Sequence, residues 1–177
     1  MSRILKHTGW LAIITFFGMT FIASRYNPGF SIYTGAFSDL GSIKATQPYI
    51  FNYSLIFIIT PLILLFSIYL IDKSENKIQT VGASFILTAS FFIAFIGIFP
   101  EGTKYHNFVA LYFFIQYFLG ILIYGLGSKN KPFKYLCIGL FITFWILLIT
   151  MPFPSIAIAE TTALLLILVF NIASIIY

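Results

Sequence analysis

Residues 78–99 read IQTVGASFILTASFFIAFIGIF, a stretch without one charged side chain. As a helix it would rise about 33 Å at 1.5 Å per residue. That matches the roughly 30 Å hydrocarbon core of a bilayer, which about 20 apolar residues cross. The run is continuous, whereas a strand of a membrane barrel alternates apolar and polar residues over about ten positions. It is bounded by Lys77 on one side and by Pro100 and Glu101 on the other. Working outward, the same pattern recurs five times, and spans are expected at about 5–24, 49–71, 78–99, 105–126, 133–151 and 154–177. The gaps are marked by Asp72, Lys73, Glu75 and Lys77, by Glu101 and Lys104, and by Lys129, Lys131, Pro132 and Lys134. Pro152 and Pro154 mark the last gap, because proline breaks a helix interior. The expected fold is all-α, a polytopic membrane bundle of six helices forming one domain over residues 1–177.

Composition agrees. Of 177 residues, 60% are hydrophobic and 8% charged, and the mean hydropathy is +0.99. A soluble domain carries about a quarter charged residues. These values exclude most soluble enzymes, nucleic-acid modules and disordered chains. The net charge of +5 does not imply a nucleic-acid partner, because the basic residues sit in short gaps and not on one patch. Arg3 and Lys6 followed by an apolar run have the make-up of a signal peptide, but the segment is read as the first span. Cys137 is the sole cysteine and is read as a packing residue.

The basic residues also orient the chain. With the N-terminus inside, the inner segments hold Arg3, Lys6, Lys73, Lys77, Lys129, Lys131 and Lys134, and the outer ones hold Arg25, Lys44 and Lys104. Positive charge collects on the cytoplasmic side, so both termini are expected in the cytoplasm of a cell-membrane protein. Tyr26, Tyr49, Tyr69, Tyr105 and Tyr135 fall at span ends, as an aromatic belt would. Residues 25–48 form a long outer loop with Phe30, Ile32, Tyr33 and Phe37. Such a loop is expected to lie on the membrane surface or to cap the bundle.

Ionisable groups in or beside a membrane bundle are costly, and each is a functional candidate. Asp72 and Glu75 lie among lysines of an inner loop and are read as solvated. The other acids, Asp39, Glu101 and Glu160, fall on the outer side. With Ser38, Asn52, His106 and Asn107 they form the candidate ligand-binding cluster. Each also has a local alternative: Ser38 and Asp39 as a turn, His106 and Asn107 as a helix cap, Asn52 as an interhelical bond. Glu160 has no basic neighbour in sequence, so its carboxylate must be paired, hydrated or protonated. A polar network, a headgroup or ligand site and a catalytic site all remain open. No zinc-ligand spacing is present, no nucleophile motif accompanies Ser38, and no phosphate-cradling loop or haem-ligand pair is found. No metal or cofactor is therefore expected. A proton relay through Glu160 and His106 stays open.

The order Ser38–Gly41 (SDLG), Phe51–Ser54 (FNYS), Gly97–Gly102 (GIFPEG) with His106 and Ala110, then a late Glu160, resembles the domain-of-unknown-function family 998, over about residues 10–175. The resemblance implies a small six-helix membrane protein. That family resembles, more distantly, the FRAG/DRAM membrane proteins, which implies lipid-related work at the outer leaflet. A remoter likeness is to ceramidase-type membrane hydrolases, whose metal site uses several histidines that this sequence lacks. Three readings follow. The first is a membrane protein whose outer polar pocket binds a membrane-lipid headgroup or small polar ligand. The second is an accessory subunit of a larger membrane complex. The third is a lipid-directed membrane hydrolase, which needs Ser38 within reach of His106. Whether the protein is an enzyme is left undecided.

Overall fold

Three of the polar gaps contain a side chain that starts a helix. Asn76, Asn130 and Ser155 have extended backbone, and their side-chain oxygens accept the N–H groups of Gln79, Phe133 and Ile158, each at 3.1 Å. An N-cap of this kind satisfies one of the donors that a helix leaves open at its start. The computed structural model describes residues 2–177, with side chains from Ile4 onward. The side chain of Arg3, one of the seven bases counted toward the orientation, lies outside the described residues. Six helices are long and apolar enough to cross a membrane: α1 (Thr8–Arg25), α2 (Pro48–Lys73), α3 (Lys77–Ile98), α4 (His106–Leu126), α5 (Lys131–Thr150) and α6 (Ile156–Ile176). A single turn (Ser2–Leu5) precedes α1, and a 3₁₀ turn (Phe37–Gly41) lies between α1 and α2. No strand occurs among the described residues.

Helix ends differ from expectation by up to three residues. The first helix begins at Thr8, after a turn at Lys6–His7. The fifth begins at Lys131, because the Asn130 cap draws Lys131, Pro132 and Lys134 into its first turn. Proline fits there, since its missing N–H would have had no partner. Inside α2 the chain widens into a π-helical turn over Leu55–Ile59, immediately before Pro61. The Thr60 hydroxyl donates to the Leu55 carbonyl at 2.7 Å. The wider turn relieves the crowding that proline causes against the preceding turn.

Sequential helices pack as antiparallel neighbours, and α6 closes the bundle against α1, α4 and α5. The tightest pairing is α3 with α4. At its crossing a Cβ added to Gly120 would lie 2.9 Å from the Gly82 carbonyl and 2.5 Å from Ile86. Small residues let apolar helices approach closely, and this approach fixes the α3–α4 turn relative to both helices. Among the described residues one buried pair of polar side chains spans the core: the Tyr117 hydroxyl donates to Asn171 at 2.9 Å and links α4 to α6. Tyr26, Tyr49, Tyr105 and Tyr135 are exposed near helix ends, whereas Tyr69 is buried against Phe66 and does not belong to a belt. Its ring turns inward because position 69 shares the buried face with Phe66 and Leu70.

The bundle thus has two ends. The terminal end carries the N- and C-terminal segments and residues 74–76 and 127–130. The loop end carries residues 26–47, 99–105 and 151–155. At the terminal end Lys73 Nζ donates to the Ser174 carbonyl at 2.7 Å, and exposed Lys129 and Glu75 pair at 3.5 Å.

Candidate functional site

Residues 26–47 fold onto the loop end. The Ser155 hydroxyl donates to the Ile32 carbonyl, the Ala157 N–H donates to the Gly35 carbonyl at 2.9 Å, and the Phe37 N–H donates to Glu160 Oε2 at 3.0 Å. The segment 32–37 therefore runs along the first turns of α6. Phe37 is buried, its ring 5.4 Å from that of Phe16 in an edge arrangement, and Leu40 is fully buried. Ile32 and Tyr33 stay exposed. The loop is tied further by the Ile43 N–H to the Glu101 carbonyl (3.1 Å) and by the Thr46 N–H to the Asn27 side chain (2.9 Å).

The 3₁₀ turn presents Ser38 and Asp39. Asp39 Oδ2 accepts the Ala36 N–H at 2.8 Å, a local turn bond of the kind aspartate favours. Asp39 itself is exposed. Ser38 is 8% exposed, and its hydroxyl has no hydrogen-bond partner among the described residues. Asn52 lies behind this turn. Its amide donates to the Gly41 carbonyl at 2.9 Å. A Cβ at Gly41 would run into that amide and come within 2.8 Å of Phe51. Asn52 thus holds the turn against α2.

On the facing side the turn Pro100–Glu101–Gly102 reverses the chain, with Gly102 at φ +92°, a conformation open to glycine. His106 opens α4 and is buried. Its Nδ1 lies 2.9 Å from the Phe99 carbonyl and its Nε2 lies 3.0 Å from Glu101 Oε2. A carbonyl only accepts, so Nδ1 carries a hydrogen. One further proton must then lie between Nε2 and Oε2, and the pair as a unit is neutral.

These segments enclose a cleft of about 340 Å³ at the loop end. Ser38, Asp39, Glu101, His106, Asn107 and Glu160 all line it. Asn52 does not, because it is spent behind the turn. Asn107 is exposed and makes no side-chain hydrogen bond among the described residues, and it does not cap α4, whose N-cap is Tyr105. Beneath the cleft lies an apolar cavity of about 40 Å³, walled by Phe16, Phe37, Phe51, Phe113 and Leu164. Ser38, His106, Ala110 and Glu160 line both spaces, so the polar mouth and the apolar floor are continuous. The lining that sequence reasoning missed is the loop residues Thr34, Gly35 and Ala36 with Ala110 and Ile156. Its signal was Ser155, a helix-start residue whose second hydrogen bond draws the loop in.

The arrangement does not form a serine-hydrolase relay. Such a relay needs a free histidine nitrogen facing the serine hydroxyl. Both ring nitrogens of His106 are engaged, and Ser38 is not bonded to either. Among the described residues no three His, Cys, Asp or Glu side chains are grouped so that they could hold a metal ion.

A protein-family model described as a protein of unknown function (DUF998) matches residues 10–176, nearly the whole chain. No curated protein and no solved structure matches it.

Proposed function

The chain belongs to the family of proteins of unknown function DUF998, and we propose that it is a cell-membrane protein whose loop-end cleft binds a lipid headgroup or a small polar ligand. The observation that carries this reading is the meeting of seven polar residues, Thr34 among them, from four separate segments in one cleft with an apolar floor. Binding sites are mostly apolar hollows with a few convergent polar groups, often between the helices of a bundle. The loop end faces outward in this reading. The basic residues of the terminal end support that orientation, because they favour the cytoplasmic side. The cleft would then open at the outer leaflet, where headgroups lie.

Ala110 lines both spaces, so Ala110→Phe fills the passage between them. Mass spectrometry of small molecules extracted from purified wild type and variant tests the reading. A species retained by the wild type and lost from an equally stable variant is expected. Identical content in the two would overturn it.

A second reading, an accessory subunit of a larger complex, is favoured by α5. Only Phe133, Cys137, Leu140 and Phe144 of that helix are buried. Its outward Ile142, Ile146 and Ile149 would meet a partner helix in place of lipid. Copurification of a specific membrane partner, lost when these residues become alanine, tests it.

A further inference from the structure

The cleft leaves a defined set of acceptors unspent. Asp39 uses Oδ2 for Ala36, Glu160 uses Oε2 for Phe37, and Glu101 uses Oε2 for His106. Among the described residues the second oxygen of each carboxylate has no partner. Ser38 is 8% exposed as a residue and lines both spaces, and its hydroxyl has no partner among the described residues either. Among the described residues no lysine, arginine, phenylalanine, tyrosine or tryptophan lines the cleft itself, and the phenyl rings stand below it, in the floor. Neither Asp39 nor Glu160 makes a salt bridge among the described residues, and Lys44 lines only the neighbouring hollow that Asp39 also borders.

The ligand that answers this set is positively charged and rich in N–H donors. A primary ammonium has three donors and no acceptor. A quaternary ammonium offers no donor and would leave the unspent carboxylate oxygens and the Ser38 hydroxyl without partners. An anionic group placed among Asp39, Glu101 and Glu160 would meet like charge with no lysine or arginine to offset it. An ammonium does not need the close grouping that a metal ion needs and that is absent among the described residues. Its hydrogen bonds are longer, about 2.7–2.9 Å, and can run through water. The apolar floor continues from the same residues and accepts the start of a hydrocarbon chain.

Resting on the ligand-binding reading above, we propose that the cleft selects a primary ammonium group carried on an apolar chain. Asp39, Glu101 and Glu160 are its carboxylate acceptors, and the Ser38 hydroxyl is a fourth. The same chemistry has two sources, the aminoethyl headgroup of a membrane lipid and a free alkylamine.

Two arms use the full chain in detergent micelles. In the first, native mass spectrometry compares retention of phosphatidylethanolamine and phosphatidylcholine with identical acyl chains, which differ only in three N-methyl groups. In the second, the shift in Tm is compared for hexylamine and hexyltrimethylammonium. An ethanolamine-lipid preference of about tenfold or more is expected, the size of one charge-assisted hydrogen bond. It should fall to parity in Glu160→Gln, whose amide oxygen still accepts the Phe37 N–H. Asp39→Asn provides the same test if Glu160→Gln does not fold. A preference in the lipid arm supports a headgroup, and one confined to hexylamine supports a free amine. Equal behaviour of both members in both arms overturns the ammonium inference. If Ala110→Phe then still releases bound lipid, the ligand reading survives, and if it releases nothing, both fall.

Discussion

The carboxylate of Glu160 accepts the backbone N–H of Phe37 at 3.0 Å across 123 positions of sequence. This bond closes the loop over α6, and Glu160 also lines the cleft. Glu160→Ala removes the acceptor from a buried residue's N–H and should cost about 1–2 kcal/mol, the range of a partly exposed charged hydrogen bond. Glu160→Gln keeps an acceptor and should lie close to wild type. Thermal unfolding in detergent, with proteolysis of residues 26–47 as a local readout, separates the two. Equal loss in both variants would show that the bond does not hold the loop.

His106 offers a test of the proton count. Because Nδ1 faces the Phe99 carbonyl at 2.9 Å, it must carry hydrogen whichever way the second proton lies. In ¹⁵N-histidine spectra the ring of His106 should show a protonated Nδ1 throughout, assigned by its loss in His106→Gln. A neutral ring with hydrogen on Nε2 alone would mean that the Phe99 bond is absent. Glu101→Gln should preserve the contact, since its amide can donate to Nε2, whereas Glu101→Leu leaves a buried nitrogen without a partner. That orphan should cost about 1–3 kcal/mol.

Asn52 and Gly41 show how far the sequence could be read. Position 52 was legible as a polar residue entering a helix at the right end, and so were Asp39, Glu101, His106 and Glu160. Each is conspicuous because charged and amide groups are scarce in so apolar a chain. What each side chain faces was not legible. Asn52 turns to the Gly41 carbonyl, a choice made by the path of the loop backbone. Segment 32–37 carries no side-chain pattern that announces its bonds to Ser155, Ala157 and Glu160. The helices themselves were legible to within three residues, because continuous apolar runs and capping residues are local signals. Tyr69 and the π turn at Leu55–Ile59 were not, because burial and helix widening depend on neighbours far along the chain.

The structural assignment of Asn52 makes its own prediction. Asn52→Asp replaces the donor by a carboxylate facing a carbonyl, and should lower stability by about 2–3 kcal/mol, more than Asn52→Ala. Gly41→Ala should also destabilise, by about 1–3 kcal/mol, since the added methyl meets Asn52 and Phe51. In variants that still fold, extracted small molecules should match wild type, because Asn52 does not line the cleft. Loss of a bound species from a folded Asn52→Ala protein would return this residue to the ligand set.

The orientation is tested through cysteine chemistry, for which the chain is suited. Its one cysteine, Cys137, is fully buried, and a thiol reacts as an accessible thiolate, so wild type should resist a membrane-impermeant maleimide. Tyr33 is 70% exposed on the loop, and the side chain of Lys129 is 83% exposed at the terminal end. In intact cells Tyr33→Cys should be labelled and Lys129→Cys should not. After permeabilisation both should react to similar extents. The basic residues of the terminal end require this order if they obey the charge bias of membrane insertion. The reverse order would place the cleft on the cytoplasmic side. The ligand would then have to come from the inner leaflet or the cytosol, with the same carboxylates and the same Ser38 hydroxyl receiving it.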